Sequence, residues 1–250
     1  MNQSRFTSLL FCAAMVVFLI SCNSGSNEEK STADTTATTT DTSAANTTPT
    51  PASTIVTTPQ NMVVVTHKVK DFAKWMPAYE GHDSARLANG LHSYVIGRGF
   101  NDTSMVLVAL KADDMTKAKA FVKDPSLKKA MEKGGVVGAP TISFYTAVWQ
   151  DTSTLSPDII RSRTMFEVKD WDAWQKAFED GKQERIDNGI TVRSYGHDAD
   201  NNKKVTLVTA LQDTAKAFAY YKSDALKKRR AAAGVIGEPK RFLFKIVKRY

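Results

Sequence analysis

The sequence predicts an α+β fold: two tandem βαββαβ units that face each other as an intramolecular pseudo-dimeric α/β barrel. Three observations predict it. The 250 residues divide into an apolar leader, a Ser/Thr-rich stretch and a globular remainder. The remainder repeats itself at an offset of 99 residues. Each repeat sets period-two stretches and period-3.6 stretches in the same order.

The leader is Met1–Cys22. Arg5 precedes the apolar run Leu9–Ile20, which is shorter than the roughly 20 residues a membrane-spanning helix needs. It reads as a signal peptide. Its end, Leu19-Ile20-Ser21-Cys22, resembles the bacterial lipobox, which implies that Cys22 is lipidated and holds the protein on a membrane of the cell envelope. The alternative is a plain secretory signal with an incidental cysteine. The only cysteines are Cys12 and Cys22, so the folded part has no disulfide and no thiol nucleophile.

Residues 23–60 hold 18 Ser or Thr, no aromatic residue, and prolines at 49, 51 and 59. This composition buries too little apolar area to offset chain entropy, so a disordered tether is expected. The whole chain carries a net charge of +8. Without Arg5, Lys30, Glu28, Glu29, Asp34 and Asp41, 32 basic and 22 acidic residues remain, a charge of +10 for residues 61–250. Much of the excess lies in Lys227-Lys228-Arg229-Arg230 and in Lys240, Arg241, Lys245, Lys248 and Arg249. Export disfavours a nucleic-acid partner. A solvated basic face, or attraction to anionic head groups, accounts for the charge.

Val69-Lys70-Asp71-Phe72 with Trp75 recurs as Val168-Lys169-Asp170-Trp171 with Trp174. The offset also carries Arg86 to Arg185, Gly97 to Gly196, and Gly135-Val136-Val137-Gly138 to Gly234-Val235-Ile236-Gly237. Between these the register slips, matching Val106–Leu110 to Leu207–Leu211 and Lys119-Ala120-Phe121 to Lys216-Ala217-Phe218. A tandem duplication follows, with units at 61–150 and 160–250 and a linker at 151–159.

In the first unit, Met62–Val69 is strand-like. Asp71 caps a helix running to Asn89, with Gly90 as its stop. Phe72, Trp75, Tyr79, His82 and Arg86 share one helical stripe. Strands Leu91–Phe100 and Ser104–Lys111 follow, then helices near Asp114–Val122 and Pro125–Lys133, a Gly-rich turn and a strand Thr141–Trp149. This βαββαβ order is the ferredoxin-like motif. One such sheet keeps a bare face, so two units bury a second core by facing each other. The folded part is therefore expected to be monomeric.

The pattern His67-Lys68-Val69-Lys70-Asp71-Phe72-x-x-Trp75, then Arg86-x-x-x-Gly90-Leu91, then Ala120-Phe121 through Leu127-Lys128 and Met131 to Gly135-Val136-Val137-Gly138-x-Pro140 resembles the antibiotic-biosynthesis-monooxygenase-like (dimeric α/β-barrel) superfamily, in particular its small cyclase-like members. The resemblance spans both units. It implies the barrel fold but no single reaction, because that fold hosts cofactor-independent oxygenases, haem-degrading enzymes, isomerases and proteins with no known reaction.

His67 is the candidate base: by alternation it shares a strand face with Val63, Val65 and Val69, and Phe166 takes its place in the second unit. A structural histidine at a strand end is the plainer account. On the next strand His92, Tyr94, Ile96 and Arg98 alternate onto one face, matched by Thr191, Arg193, Tyr195 and His197. Tyr94, Arg98, Arg193, Tyr195 and His197 are thus candidate ligand contacts for an anionic or phenolic group. Trp75 joins them, although a tryptophan at helical spacing also suits a core. The haem-degrading pattern is incomplete, since Gly181 replaces His82 and no strand Asn is evident. The Gly134–Gly138 run lacks the Lys-Ser/Thr of a phosphate loop. No metal-ligand spacing or Ser-His-Asp order stands out, so no metal and no cofactor is expected.

The expected function is binding of a small apolar or aromatic molecule in or beside the barrel. The enzymatic alternative is a cofactor-independent monooxygenase in which His67 deprotonates a phenolic substrate. A non-catalytic interaction module using the late basic face is a third possibility.

Overall fold

The computed structural model describes residues 53–250. The signal peptide, Cys22 and the tether up to residue 52 lie outside the described residues. The first unit contains β2 (Gln60–Val69), α1 (Phe72–Glu80), α2 (Asp83–Ala88), β3 (Leu91–Gly99), β4 (Met105–Ala112), α3 (Met115–Phe121), α4 (Pro125–Lys133) and β5 (Val136–Asp151). The second contains β6 (Ile160–Val168), α5 (Trp171–Asp180), α6 (Lys182–Asp187), β7 (Ile190–Asp198), β8 (Lys204–Leu211), α7 (Thr214–Tyr221), α8 (Asp224–Ala232) and β9 (Val235–Arg249). Before them, β1 (Ile55–Val56) pairs with Asp151 and Gln150. Ordered chain therefore starts ahead of residue 61, inside the stretch expected to be tether.

The fold is α+β with one antiparallel sheet. Its strand order is β1-β5-β2-β4-β3-β9-β6-β8-β7, and a further β5–β7 pairing joins its ends. Eight strands thus return on themselves as a ring with no free edge between the units.

The offset of 99 runs through the pairings of the eight ring strands without a slip. His67 lies opposite Val106, and Phe166 opposite Val205. Val95 pairs with Arg249 and Gly97 with Ile246, just as Ser194 pairs with Gln150 and Gly196 with Ala147. The slips expected at Val106–Leu110 and Lys119–Phe121 are therefore absent. Asp114 and Asp213, also 99 apart, each cap their helix through a backbone N–H, and buried Ala118 and Ala217 share a place beneath it. The repeated Lys-Ala-Phe triplet was a coincidence of Ala- and Lys-rich helices.

The helix expected from Asp71 to Asn89 is broken. Gly81 and His82 tighten the chain, with the His82 N–H donating to the Tyr79 carbonyl, and α2 restarts after them. The last strand begins at Val136 rather than Thr141. Gly138, with a φ of +71°, and Pro140, which has no N–H to pair, fit where the β2–β5 register jumps.

The two sides of the ring have separate cores. Val63, Val65 and Val69 pack with Trp75, Ile96, Val108 and Phe121 under the helices. Met62, Val64, Val95, Leu107, Ala109 and Tyr145 point inward, where Phe244, Val208 and Ile246 of the second unit meet them.

At the junctions the backbones come very close. A Cβ on Gly97 would strike the Phe244 ring, and one on Gly196 would strike the Thr146 carbonyl oxygen. Glycine is the residue that fits both seams.

Candidate functional site

The outer face of β2 and the stripe of α1 enclose the first candidate. Asp71 starts α1 by accepting the N–H groups of Ala73 and Lys74, which sets Trp75 over the strand. The His67 ring lies 5.5 Å from Trp75, tilted by 54°, and Trp75 stacks on Tyr79 at 5.1 Å. Tyr79 shares a 2.7 Å hydrogen bond with Ser93. Arg86 lies over the Tyr79 ring, donates to the Tyr79 carbonyl, and pairs with Asp83 at 2.9 Å.

His67 is 4% exposed. Neither of its ring nitrogens has a hydrogen-bond partner among the described residues, and the same is true of His82 Nδ1. Burial disfavours the imidazolium and lowers the His67 pKa to about 4. The ring is neutral at pH 7 and offers one N–H donor and one acceptor. Around it Leu91, Val108, Phe121, Leu127 and Met131 wall a cavity of about 70 Å³.

The second unit repeats this cavity with different chemistry. Phe166 packs on Trp174 at 5.5 Å where His67 meets Trp75. Tyr79 is replaced by Phe178, while Arg185 keeps the place of Arg86 and lies 3.7 Å above the Phe178 ring. Arg229, Arg230 and Arg241 stand where the first unit has Ala130, Met131 and Ile142, and they line a cavity of about 90 Å³. The run Lys227-Lys228-Arg229-Arg230 is thus only half a solvated face. Its arginines turn inward, and Arg229 pairs with Glu184.

The ligand face expected from β3 and β7 does not exist as one surface. A β-bulge between Ser93 and Val95, repeated between Val192 and Ser194, reverses the alternation midway. Tyr94 and Arg193 face the interior of the ring, where Arg193 pairs with Asp151. Beyond the bulge the chain faces the helices. Arg98 lies 4.5 Å above Phe72 and donates to the Thr103 carbonyl. Tyr195 packs among Trp171, Trp174 and Phe178, and His197 meets the edge of Trp171 at 4.8 Å. His92 pairs with exposed Asp113. Of the expected site residues, His67 and Trp75 share the cavity of the first unit, and Tyr94 and Arg193 share the interior of the ring.

Among the solved structures that the chain is similar to by fold are two that cover most of it. One is a candidate monooxygenase of Fusobacterium nucleatum, which superposes with a TM-score of 0.50 at 14% identity over 76% of this chain and 93% of its own. The other is an anthrone oxidase-like protein, with a TM-score of 0.51 at 13% identity over 78% of this chain and 95% of its own. No family model matches the chain, and no curated protein matches it by sequence. At these identities the likeness is one of fold.

Tyr79, His82 and Arg86 sit on the helical stripe visible in the sequence, where His82 stood out only as part of an incomplete haem-degrading pattern. Arg161 and Arg163 were missed as site residues. Their period-two spacing on β6, matched at the 99 offset by Met62 and Val64, placed them on the face between the sheets. The first cavity can hold a small apolar body and satisfy one polar group on it. The second is larger and cationic.

Proposed function

We propose that the protein binds a small apolar or aromatic molecule bearing one hydroxyl or carbonyl, in the cavity of the first unit. The observation that carries this is His67, a buried neutral imidazole with neither nitrogen partnered among the described residues. Such a group is costly to bury, by about 1–3 kcal/mol, unless something hydrogen-bonds to it. Phe166, at the matching place, carries no such cost.

The cavity is about 70 Å³, roughly half the volume that holds a benzene ring. A ring therefore enters by its polar edge while the rest of the ligand lies towards the helices. Phenol and benzene are the test pair in calorimetry of the full chain. Phenol should bind more tightly than benzene, and His67→Phe should remove that preference. Equal binding of both by the wild type, or an unchanged preference in the variant, would reject the reading. Native mass spectrometry of protein from its own host would identify the natural ligand.

The second reading is a cofactor-independent monooxygenase, supported by the fold it shares with a candidate monooxygenase and by the unprotonated state of His67. Taking a proton from a phenol of ordinary acidity would cost His67 about 8 kcal/mol, since roughly six units separate the two groups. Binding therefore stands ahead of catalysis.

The setting proposed for this site is a duplicated, pseudo-dimeric α/β barrel of the antibiotic-biosynthesis-monooxygenase-like superfamily, monomeric in solution. It is held to a membrane of the cell envelope through Cys22. The unbroken offset of 99 in the strand pairings supports the first part, and the lipobox-like leader supports the second.

A further inference from the structure

The interior of the ring is walled differently by the two units. The first unit contributes Met62, Val64, Val95, Leu107 and Ala109. At the matching places the second unit puts Arg161 for Met62, Arg163 for Val64, Arg193 for Tyr94 and Arg249 for Gln150. A cavity of about 80 Å³ lies between these walls. Arg161 is 2% exposed and Arg163 3%, while Arg249 stands at the rim.

Charge does not balance there. Arg193 has Asp151 and Ser153 as partners. Arg161 spends one nitrogen on the Ile159 and Ser156 carbonyls, and its Nη2 has no partner among the described residues. Arg163 has none for Nε or Nη2. Asp151 is the only carboxylate lining the cavity among the described residues. Burial pulls the Arg161 pKa down to about 10, and the group is still a cation at pH 7.

The free atoms of Arg163 are chemically specific. Nε–H and Nη2–H point the same way along one edge of the guanidinium, the edge that grips a carboxylate with two parallel hydrogen bonds. The facing wall carries the aliphatic side chains of Met62, Val64 and Leu107 beside the rings of Tyr94 and Tyr145. A cavity of this volume takes an anion of a few heavy atoms whole. Arg163 and Tyr145 also line a wider cleft of about 490 Å³, which supplies a way in.

We infer that the ring interior is a second ligand site, separate from the His67 cavity, which takes a small aliphatic carboxylate on the Nε–Nη2 edge of Arg163 with its alkyl end against Met62, Val64 and Leu107. One residue on one strand supplies the recognition, and Asp151 keeps Arg193 occupied so that the anion is directed to Arg163.

Propionate and inorganic phosphate are the probes, titrated into the full chain by calorimetry in low-chloride buffer. Propionate should bind, and phosphate should bind at least about tenfold more weakly because it has no alkyl end for the aliphatic wall. Arg163→Met should weaken propionate by about tenfold or more. Arg163→Lys keeps the charge but loses the forked edge, and it should weaken propionate nearly as much. It also serves if the Met variant does not fold. No heat with about 10 mM propionate, phosphate binding as tightly as propionate, or propionate affinity unchanged in the Lys variant would each overturn the inference.

Discussion

His67 and Phe166 occupy one and the same place in the two units. Each lies opposite a valine, Val106 or Val205, and each ring sits 5.5 Å from a tryptophan, Trp75 or Trp174. The second unit thus shows what the first would be without its imidazole, and it supplies a natural control.

His67→Phe should therefore fold well. Removing an unpartnered buried polar group should leave stability unchanged or raise it by about 1–2 kcal/mol. Urea unfolding at pH 7 checks this, and a loss above about 3 kcal/mol would mean that His67 has a structural partner.

Acid should destabilise the wild type through His67. Its pKa falls from 6.5 in the unfolded chain to about 4 in the fold, so between these values the unfolded chain holds a proton that the folded chain does not. This contribution is fully present above pH 6.5 and is lost as pH falls through the window, by up to about 3 kcal/mol at pH 4. Unfolding midpoints at pH 7, 5.5 and 4.5 should fall less for His67→Phe than for the wild type. Parallel curves would contradict the buried, neutral state.

The seams should tolerate no side chain. Gly196→Ala drives a methyl into the Thr146 carbonyl and should cost about 3 kcal/mol or more. Gly138→Ala meets nothing within 4 Å and should cost only about 1 kcal/mol, for its positive φ. Thermal melts of the two variants should separate clearly, and equal melts would argue against a closed junction at β5–β7.

Membrane attachment should depend on one atom. Cys22→Ser removes the sulfur to which an acyl chain would be attached, so the protein should move from the membrane to the soluble fraction. Retention of the variant on membranes washed in high salt would refute the anchor.

Much of this was written plainly in the residues. Asp71 and Asp170 advertise their helices because a carboxylate at that place satisfies free N–H groups, and Gly97 with Gly196 marks corresponding points of the two units in the residues alone. The faces of β3 and β7 were misread because a bulge carries no reliable residue signature: one extra residue after Ser93 sends Tyr94 inward and Ile96 outward. The break at Gly81 was hidden for a similar reason, since the apolar stripe continues across it. Arg161 and Arg163 were legible but unread, because charge on a face expected to be core looks like noise until both walls of the cavity are known.

In a true homodimer every substitution on the inner wall appears twice, and an arginine placed near the axis faces its own copy. Val64→Arg in such an assembly would set cation against cation. A single chain escapes that rule: Val64 can stay on one side while Arg163 arises on the other. Isolated residues 53–152, with an aliphatic inner wall and edges of matching register, should pair as a dimer, whereas residues 160–250 would have to double their arginines with no Asp151 to answer them. Carrying both halves in one chain thus leaves the two inner walls free to differ, and the His67 cavity, its counterpart and the ring interior differ in character accordingly.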